Sequence, residues 1–200
     1  MNNLELLTSS KARAKMLSLL FENDREYYMR EIERETKLPI GSIQQEVRTL
    51  KKLDLITARR DGNRLYFQAN QSHPLYGDLR QIVIKTSGWM TELRKLLKRN
   101  DVAVAFIFGS VAKGTEKASS DIDLFVVGTI GLRALSSITG PIGRKVNREI
   151  NPHVYSAQEL AKKVKDQDHF VTSVLESQKL FLVGNQNEFE SIFGCRSAAN

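Results

Sequence analysis

The 200-residue sequence has a single cysteine, four prolines and no long hydrophobic run. Because Cys195 cannot form an internal disulfide, the cysteine content favours a reducing compartment, and we expect a cytoplasmic protein. No apolar run approaches the roughly 18–20 residues that span a bilayer, and the N-terminus has no signal-peptide pattern. Internal repeats, low-complexity segments, zinc-ligand spacings and nucleophile-elbow motifs are also missing from the sequence. We therefore expect a soluble globular protein of one or two domains that does not enter a membrane.

Charge is unevenly distributed along the chain. Residues 1–100 contain 19 Lys and Arg against 12 Asp and Glu, a net charge of +7, whereas residues 101–200 contain 11 of each. A basic half joined to a neutral half favours a polyanionic partner for the first half. The alternative is that the excess charge serves only solubility.

Two apolar runs flank a short polar segment in the second half. The first run, Val102–Phe108, predicts a strand buried on both faces, and the second follows Asp123. Asp121 and Asp123 are two residues apart, so on a strand their side chains share a face. Two such carboxylates repel each other, and Mg²⁺, which prefers one or two carboxylates plus substrate phosphates, would relieve the repulsion. Gly109 permits close approach of a backbone, and N–H groups at the start of a helix after Ser110 suit a phosphate. These residues predict a site for a metal-bound nucleoside triphosphate.

This ordered set resembles the signature of the DNA polymerase β-like nucleotidyltransferase superfamily, especially its minimal stand-alone members. The resemblance covers about residues 100–155 and rests on Gly109-Ser110, Gly114 and Ser120-Asp121-Ile122-Asp123-Leu124. It implies metal binding by Asp121 and Asp123, and nucleotide binding by Gly109, Ser110, Lys113 and Ser120. The alternative is a surface loop beside a strand edge with two solvated aspartates.

The same resemblance implies a third carboxylate on a later strand, which we predict in EINPHVYS (residues 149–156). The family pattern places Asn151 at that position, while Glu149 would share its face only if the strand has begun by then. Either Glu149 acts as the third catalytic carboxylate or that group is absent, and its loss would cost orders of magnitude in rate. Whether the chain is an enzyme is therefore left open. Pro152 favours an edge strand or an early break.

The first 70 residues predict three helices and a hairpin. The helices are expected over residues 8–22, over residues 29–36 and, from Ser42, over residues 42–55 (SIQQEVRTLKKLDL). The hairpin strands are expected at residues 55–58 and 65–68, since Asp61-Gly62 is a strong hairpin-turn signal.

This order resembles the winged helix-turn-helix domain of small bacterial and archaeal transcriptional regulators, over about residues 8–70. The resemblance implies that the third helix lies in the major groove of double-stranded DNA. The residues that it implies for DNA contact, on the helix and on the hairpin or wing, are Ser42, Gln44, Gln45, Arg48, Lys52, Arg59, Arg60 and Arg64. The alternative is a domain that docks a protein or forms a dimer.

Residues 75–98 predict one long helix with an apolar side, with Gly88 as a point where it could kink. Such a helix would pair with its mate in a homodimer or pack on the second domain. After the signature we expect a helix over residues 131–140, a turn at Pro141-Ile142-Gly143 and the strand at residues 149–156. Helices are then expected over residues 156–165 and 170–175, a short strand or closing segment over residues 179–184, and a last short helix over residues 187–193.

Together these patterns predict an α+β protein in three parts. They are a winged helix-turn-helix at residues 1–72, a linker helix at residues 73–100 and a small α/β nucleotidyltransferase-like domain with a mixed sheet at residues 101–200. The leading hypothesis is a homodimeric DNA-binding transcriptional regulator that binds Mg²⁺ with a nucleoside triphosphate. The alternative is an active nucleotidyltransferase with a protein, small-molecule or RNA acceptor, whose N-terminal domain only docks its target. A third hypothesis is that this chain is itself the antitoxin-like partner of a toxin encoded beside it.

Overall fold

The structure, a computed structural model, describes residues 3–23, 25–114 and 120–194. Cys195, which the sequence analysis considered, lies outside these residues. The chain divides into two compact units, Met1–Gly88 and Trp89–Asn200. Within the described ranges, every helix is too short or too polar to cross a membrane.

The N-terminal unit combines helices with a small antiparallel sheet. Its elements are α1 (Asn3–Thr8), α2 (Lys11–Glu22), β1 (Tyr27–Tyr28), α3 (Met29–Thr36), α4 (Ile40–Lys52), β2 (Ile56–Asp61), β3 (Arg64–Ala69) and α5 (Tyr76–Thr86). The sheet order is β1-β3-β2, and a two-residue turn at Gly62 and Asn63 joins β2 to β3. Gly62 has a φ of +56°, which glycine adopts without strain and which explains its place in the turn.

The core of this unit forms where the apolar sides of α2, α3 and α4 meet the sheet. Met16, Ile32, Ile43 and Phe67 are essentially inaccessible to solvent. The buried positions Ile43, Val47 and Leu50 follow the three-and-four spacing of one helix face, so α4 buries the side predicted from the sequence. Its opposite side is therefore free to face solvent.

The first predicted helix is wrong in extent, because residues 8–22 do not form one helix. Ser9 has a φ of +51°, which ends α1, and the Ser10 hydroxyl accepts a hydrogen bond from the backbone N–H of Arg13 at 3.2 Å. A serine in that position caps the helix that follows it. The helix α4 also starts earlier than predicted, at Ile40 rather than at Ser42, so Ser42 lies in its first turn.

The predicted long helix at residues 75–98 is two helices, α5 and α6 (Gly88–Leu97). Ser87 between them has an extended backbone, with φ −62° and ψ 153°. Arg80 of α5 is 1% exposed, and its guanidinium donates to the Phe21 carbonyl at 2.9 Å and to the Tyr76 hydroxyl at 3.1 Å. This buried contact ties α5 to the end of α2, so α5 is part of the N-terminal unit.

The C-terminal unit is built on a four-stranded mixed sheet. After α6 its elements are β4 (Val102–Phe108), α7 (Gly109–Lys113), β5 (Ile122–Gly128), α8 (Leu132–Val146), β6 (Ile150–Tyr155), α9 (Ala157–Lys165), α10 (His169–Glu176), β7 (Leu180–Val183) and α11 (Gln186–Gly194). The strand order is β6-β5-β4-β7; β6 runs parallel to β5, and the other pairs are antiparallel. The mixed sheet predicted from the sequence is confirmed, and Pro152 lies on an edge strand, where its missing N–H is tolerated.

One face of this sheet packs against the last three helices. Phe106 stacks on Phe125 at 5.0 Å between ring centroids, and Phe189 of α11 meets Phe106 edge-on at 4.9 Å. Leu160 of α9 and Val171 of α10 complete this buried cluster. The cluster fixes the strands and so positions the residues at their ends.

The predicted turn at residues 141–143 is wrong, because α8 continues through Pro141 to Val146. Leu135, Thr139 and Ile142 are buried at helical spacing on both sides of the proline. Burial of that face outweighs the lost backbone hydrogen bond, which is the usual reason for a helix to stop at proline.

Candidate functional site

The two aspartates of the signature lie at the start of β5. Asp123 pairs with Phe108, the last residue of β4, and Asp121 immediately precedes the strand. Ile122 and Leu124 between and after them are fully buried, whereas Asp121 is exposed and Asp123 half-buried. The alternation predicted from the sequence therefore holds, and the carboxylates lie at the end of the sheet rather than in its core.

Gly109 packs against one of these carboxylates. Its φ is +71°, and a Cβ placed there would lie 2.5 Å from Oδ2 of Asp123. Any larger residue would collide with the carboxylate and would carry backbone strain as well. The glycine thus allows the backbone that begins α7 to approach Asp123 closely.

The parallel pairing of β5 and β6 places Asn151, not Glu149, beside Asp123. The amide Nδ2 of Asn151 donates to Oδ2 of Asp121 at 3.2 Å. Glu149 precedes β6 and is exposed, and its backbone carbonyl accepts a hydrogen bond from the N–H of Ile122 at 2.8 Å. The amide of Asn151 therefore lies beside the two carboxylates, at the position where the resemblance implied a third carboxylate.

Arg148 is a site residue that the sequence analysis missed. Its Nε donates to the Ser120 carbonyl at 2.6 Å, and its Nη2 lies 3.5 Å from the Asp121 carbonyl. The guanidinium thus holds the backbone that carries Asp121. Because these residues are 28 positions apart in sequence, no local pattern could have shown the contact.

His153 is the second residue missed, although its spacing could have indicated it. It is two residues after Asn151, so it shares that residue's face of β6, and its ring lies 4.7 Å from the ring of Phe170. Burial lowers the pKa of His153, and the charge of Asp123 opposes that shift. Burial raises the pKa of Asp123; His153 opposes this shift and Asp121 adds to it.

The residues predicted to bind nucleotide lie along the chain between β4 and β5. Ser110 is half-buried in the five-residue helix α7, and Lys113 is exposed at its end. Ser120 is half-buried beside Asp121, with its carbonyl held by Arg148. Residues 115–119 between them lie outside the described part of the chain.

The donor set fits a hard divalent cation such as Mg²⁺. Asp121 and Asp123 offer carboxylate oxygens, and the raised pKa of Asp123 shows that its ionised form is poorly solvated, which a cation would correct. Across residues 3–23, 25–114 and 120–194, His, Cys, Asp and Glu do not form a metal-binding group of three or more. Two carboxylates would thus rely on phosphate oxygens to complete the coordination of Mg²⁺.

On the N-terminal unit, the exposed side of α4 carries most of the residues predicted to contact DNA. Gln44, Gln45, Arg48 and Lys52 are all exposed, and Ser42 is half-buried. The acidic residue of this helix, Glu46, is turned inward and pairs with Arg13 at 3.1 Å. The exposed side of α4 is consequently polar and basic.

The three hairpin arginines, in contrast, do not form one group. Arg59 is opposite Tyr66 and Arg60 is opposite Leu65, so Arg59 and Arg60 lie on different faces of the hairpin. Arg59 contacts Glu26 at 2.6 Å and Asp61 at 3.4 Å, which offsets its charge locally. Arg64 lies over the Tyr28 ring at 5.0 Å.

Comparison with known proteins identifies the second unit. Residues 91–182, from α6 into β7, match the family described as Polymerase beta, Nucleotidyltransferase. These residues therefore form a nucleotidyltransferase-like domain of the polymerase β type, the class that the mixed sheet and its aspartate pair indicate.

A solved structure described as "Crystal structure of the toxin-antitoxin with AMP-PNP" is similar to this chain at 18% sequence identity. The similarity covers 53% of this chain and 82% of that chain, with a TM-score of 0.37. No curated protein matches the chain.

Proposed function

We propose that this chain is a DNA-binding transcriptional regulator whose C-terminal unit binds a nucleoside triphosphate together with Mg²⁺. The observation that carries the proposal is the carboxylate pair at the start of β5, with Gly109 packed against Asp123. A glycine whose replacement would displace the Asp123 carboxylate, beside two aligned carboxylates, suits a phosphate chain brought close to a bound cation.

In this proposal each residue has a defined part. Asp121 and Asp123 hold Mg²⁺, which would offset the negative charge of the triphosphate. Gly109 and Ser110 would bring the start of α7 close to the phosphates, and exposed Lys113 would add a positive charge at the end of α7. Arg148 keeps the backbone of Ser120 and Asp121 in place.

A calorimetric titration with Mg²⁺ and ATP, GTP, CTP or UTP tests nucleotide binding. Wild type should bind, and Asp121→Asn should lose at least tenfold in affinity, since it removes a charge from the cation site. Asp101→Asn is the matched control, because it removes the same charge beyond the other end of β4, about 20 Å away along the strand. Equal affinity in all three proteins, or no binding by wild type, would refute the proposal.

The N-terminal unit supports the DNA-binding part. Helices α2, α3 and α4, followed by the β2–β3 hairpin, fit a winged helix-turn-helix, with α4 as the recognition helix. Its exposed Gln44, Gln45 and Arg48 are residue types that read base edges, and Lys52 extends the basic side toward phosphates.

Fluorescence anisotropy with a mixed-sequence DNA duplex of about three helical turns tests this part. Arg48→Ala and Arg60→Ala should each weaken binding by about 1–3 kcal/mol, or roughly five- to 150-fold. Lys85→Ala, which removes an exposed charge from α5, should leave the affinity unchanged. If the arginine variants bind as wild type does at every salt concentration, DNA binding by this surface is wrong.

An active nucleotidyltransferase is the second candidate, favoured by the family match of residues 91–182. In that reaction the oxygen of an acceptor hydroxyl forms a bond to the α-phosphorus and the α–β phosphoanhydride bond breaks. Pyrophosphate leaves, and the hydroxyl proton passes to a carboxylate, for which Glu149 is the candidate. The acceptor would be a protein, a small molecule or an RNA, and the N-terminal unit would dock that target.

Two measurements separate these candidates. Transfer of label from α-³²P-labelled triphosphate to an acceptor, lost in Glu149→Gln, would favour the enzyme. DNA affinity that changes with nucleotide in wild type but not in Asp121→Asn would favour the regulator. The expected two-fold dimer is tested by sedimentation with and without DNA.

A further inference from the structure

We propose that the candidate site takes a single divalent cation with its nucleotide, because Asn151 stands where a second ion would need a carboxylate. This inference rests on the proposed nucleotide binding and specifies the number of ions. It makes Asn151 the residue that separates a nucleotide-binding site from one equipped for two-ion phosphoryl chemistry.

The hydrogen bond of Asn151 is the first observation. Its Nδ2 faces Oδ2 of Asp121 at 3.2 Å, while the strand pairing sets the residue beside Asp123. An amide N–H group is a donor and cannot ligate a cation. One oxygen of Asp121 is thus occupied by a donor, and the other remains for a metal ion.

The second observation is that the surrounding backbone is held in place. Arg148 binds the carbonyls of Ser120 and Asp121, and the N–H of Ile122 donates to Glu149 at 2.8 Å. These contacts tie the start of β5 to the entry of β6. These contacts favour the observed spacing of Asp121 and Asn151, which leaves the amide rather than a carboxylate beside Asp121.

The third observation concerns charge. Two ions about 3.5–4 Å apart repel each other and are normally held by carboxylates that contact both. Besides the triphosphate itself, the ligands available here are two carboxylates and a neutral amide, so the protein lacks a third carboxylate with which to hold a second ion. Replacing the amide by a carboxylate would add the missing charge without changing the size of the side chain.

Counting bound Mn²⁺ by electron paramagnetic resonance, a readout independent of turnover, tests the proposal. Wild type, Asn151→Asp and Asn151→Ala are each titrated with Mn²⁺ in the presence of β,γ-imido analogues of ATP and GTP, in parallel. We expect one Mn²⁺ per chain for wild type and two for Asn151→Asp. Asn151→Ala, which removes the amide but adds no charge, should remain at one.

Three other outcomes would each refute a stated part of the proposal. Two ions in wild type with nucleotide bound would refute the single-ion site and leave nucleotide binding intact. One ion in Asn151→Asp would show that residue 151 does not set the count. Absence of nucleotide and Mn²⁺ from wild type would refute the proposed nucleotide function and this inference with it.

Discussion

Gly109 is important for the candidate site because a side chain there would be strained by the positive φ and would displace the Asp123 carboxylate. Gly109→Ala should lower the free energy of unfolding by about 2–4 kcal/mol, combining left-handed strain with overpacking. It should also abolish nucleotide binding. Gly131→Ala is the control, because a Cβ there meets nothing within 4 Å and its φ is −75°. It should cost about 1 kcal/mol or less as a helix cap and keep binding, as measured by denaturant unfolding and calorimetry.

The half-buried carboxyl of Asp123 leads to a prediction about pH. Because burial raises its pKa in the folded protein, the folded state favours the protonated form, and stability from this group is lost as pH rises through the ordinary aspartate range and above. Without Mg²⁺, Asp123→Asn should therefore melt at a higher temperature than wild type at neutral pH. Mg²⁺ with nucleotide should stabilise wild type only.

Asp101→Asn provides a control of opposite sign for that experiment. The guanidinium of Arg99 lowers the pKa of Asp101, so this group stabilises the folded state above its ordinary pKa and stops doing so in acid. The substitution should lower the melting temperature slightly at neutral pH. A lower melting temperature for Asp123→Asn as well would contradict the account of Asp123.

At the scale of single residues, the sequence shows the aspartate pair and Gly109 because they are close in the chain and carry a recognisable spacing. It leaves Glu149 and Asn151 as alternatives because their distinction depends on the register of two strands, which is set by tertiary pairing. The local neutralisation of Arg59 by Glu26 depends likewise on residues 33 positions apart.

At the scale of the element, α8 is held together across Pro141 by its buried face. Pro141→Ala should restore one backbone hydrogen bond and remove the ring's clash with the preceding turn, raising the free energy of unfolding by about 1–3 kcal/mol. Ser136→Ala, on the exposed side of the same helix, should change it by about 0.5 kcal/mol or less. Denaturant unfolding measures both; destabilisation by Pro141→Ala would mean that the proline ring contributes packing that its exposure does not indicate.

Elements with strong periodicity are predictable from the sequence. Elements are not predictable where local signals favour one structure and tertiary packing favours another. The strand Val102–Phe108 has the predicted bounds because a seven-residue apolar run after a charged segment allows little else. At residues 131–146, the local signals of proline and glycine favour a turn, while buried residues at helical spacing favour a helix. Burial of the helix face stabilises the helix only when the sheet has formed, so its contribution cannot be judged from the sequence alone.

At the scale of the whole molecule, the uneven charge predicts which part of the chain determines the salt dependence of DNA affinity. The N-terminal half carries the entire net charge of +7, so its contacts should account for the salt dependence of DNA binding. Arg60→Gln should reduce the slope of log affinity against log salt by about 1, whereas Lys162→Gln, an exposed cation on α9, should leave it unchanged. Anisotropy titrations at several salt concentrations measure the slopes. Equal reductions would mean that both units contact the phosphates.

The position of Asn151 directly before Pro152 also has a chemical consequence over time. Asparagine converts spontaneously to aspartate when the backbone nitrogen of the next residue attacks the side-chain amide and closes a succinimide ring. Proline has no N–H to give up, so this ring closure is blocked at residue 151. Deamidation through a succinimide therefore cannot convert Asn151 to aspartate, the change that we expect to admit a second ion. The number of ions that the site binds would thus not change by this reaction after the protein is made.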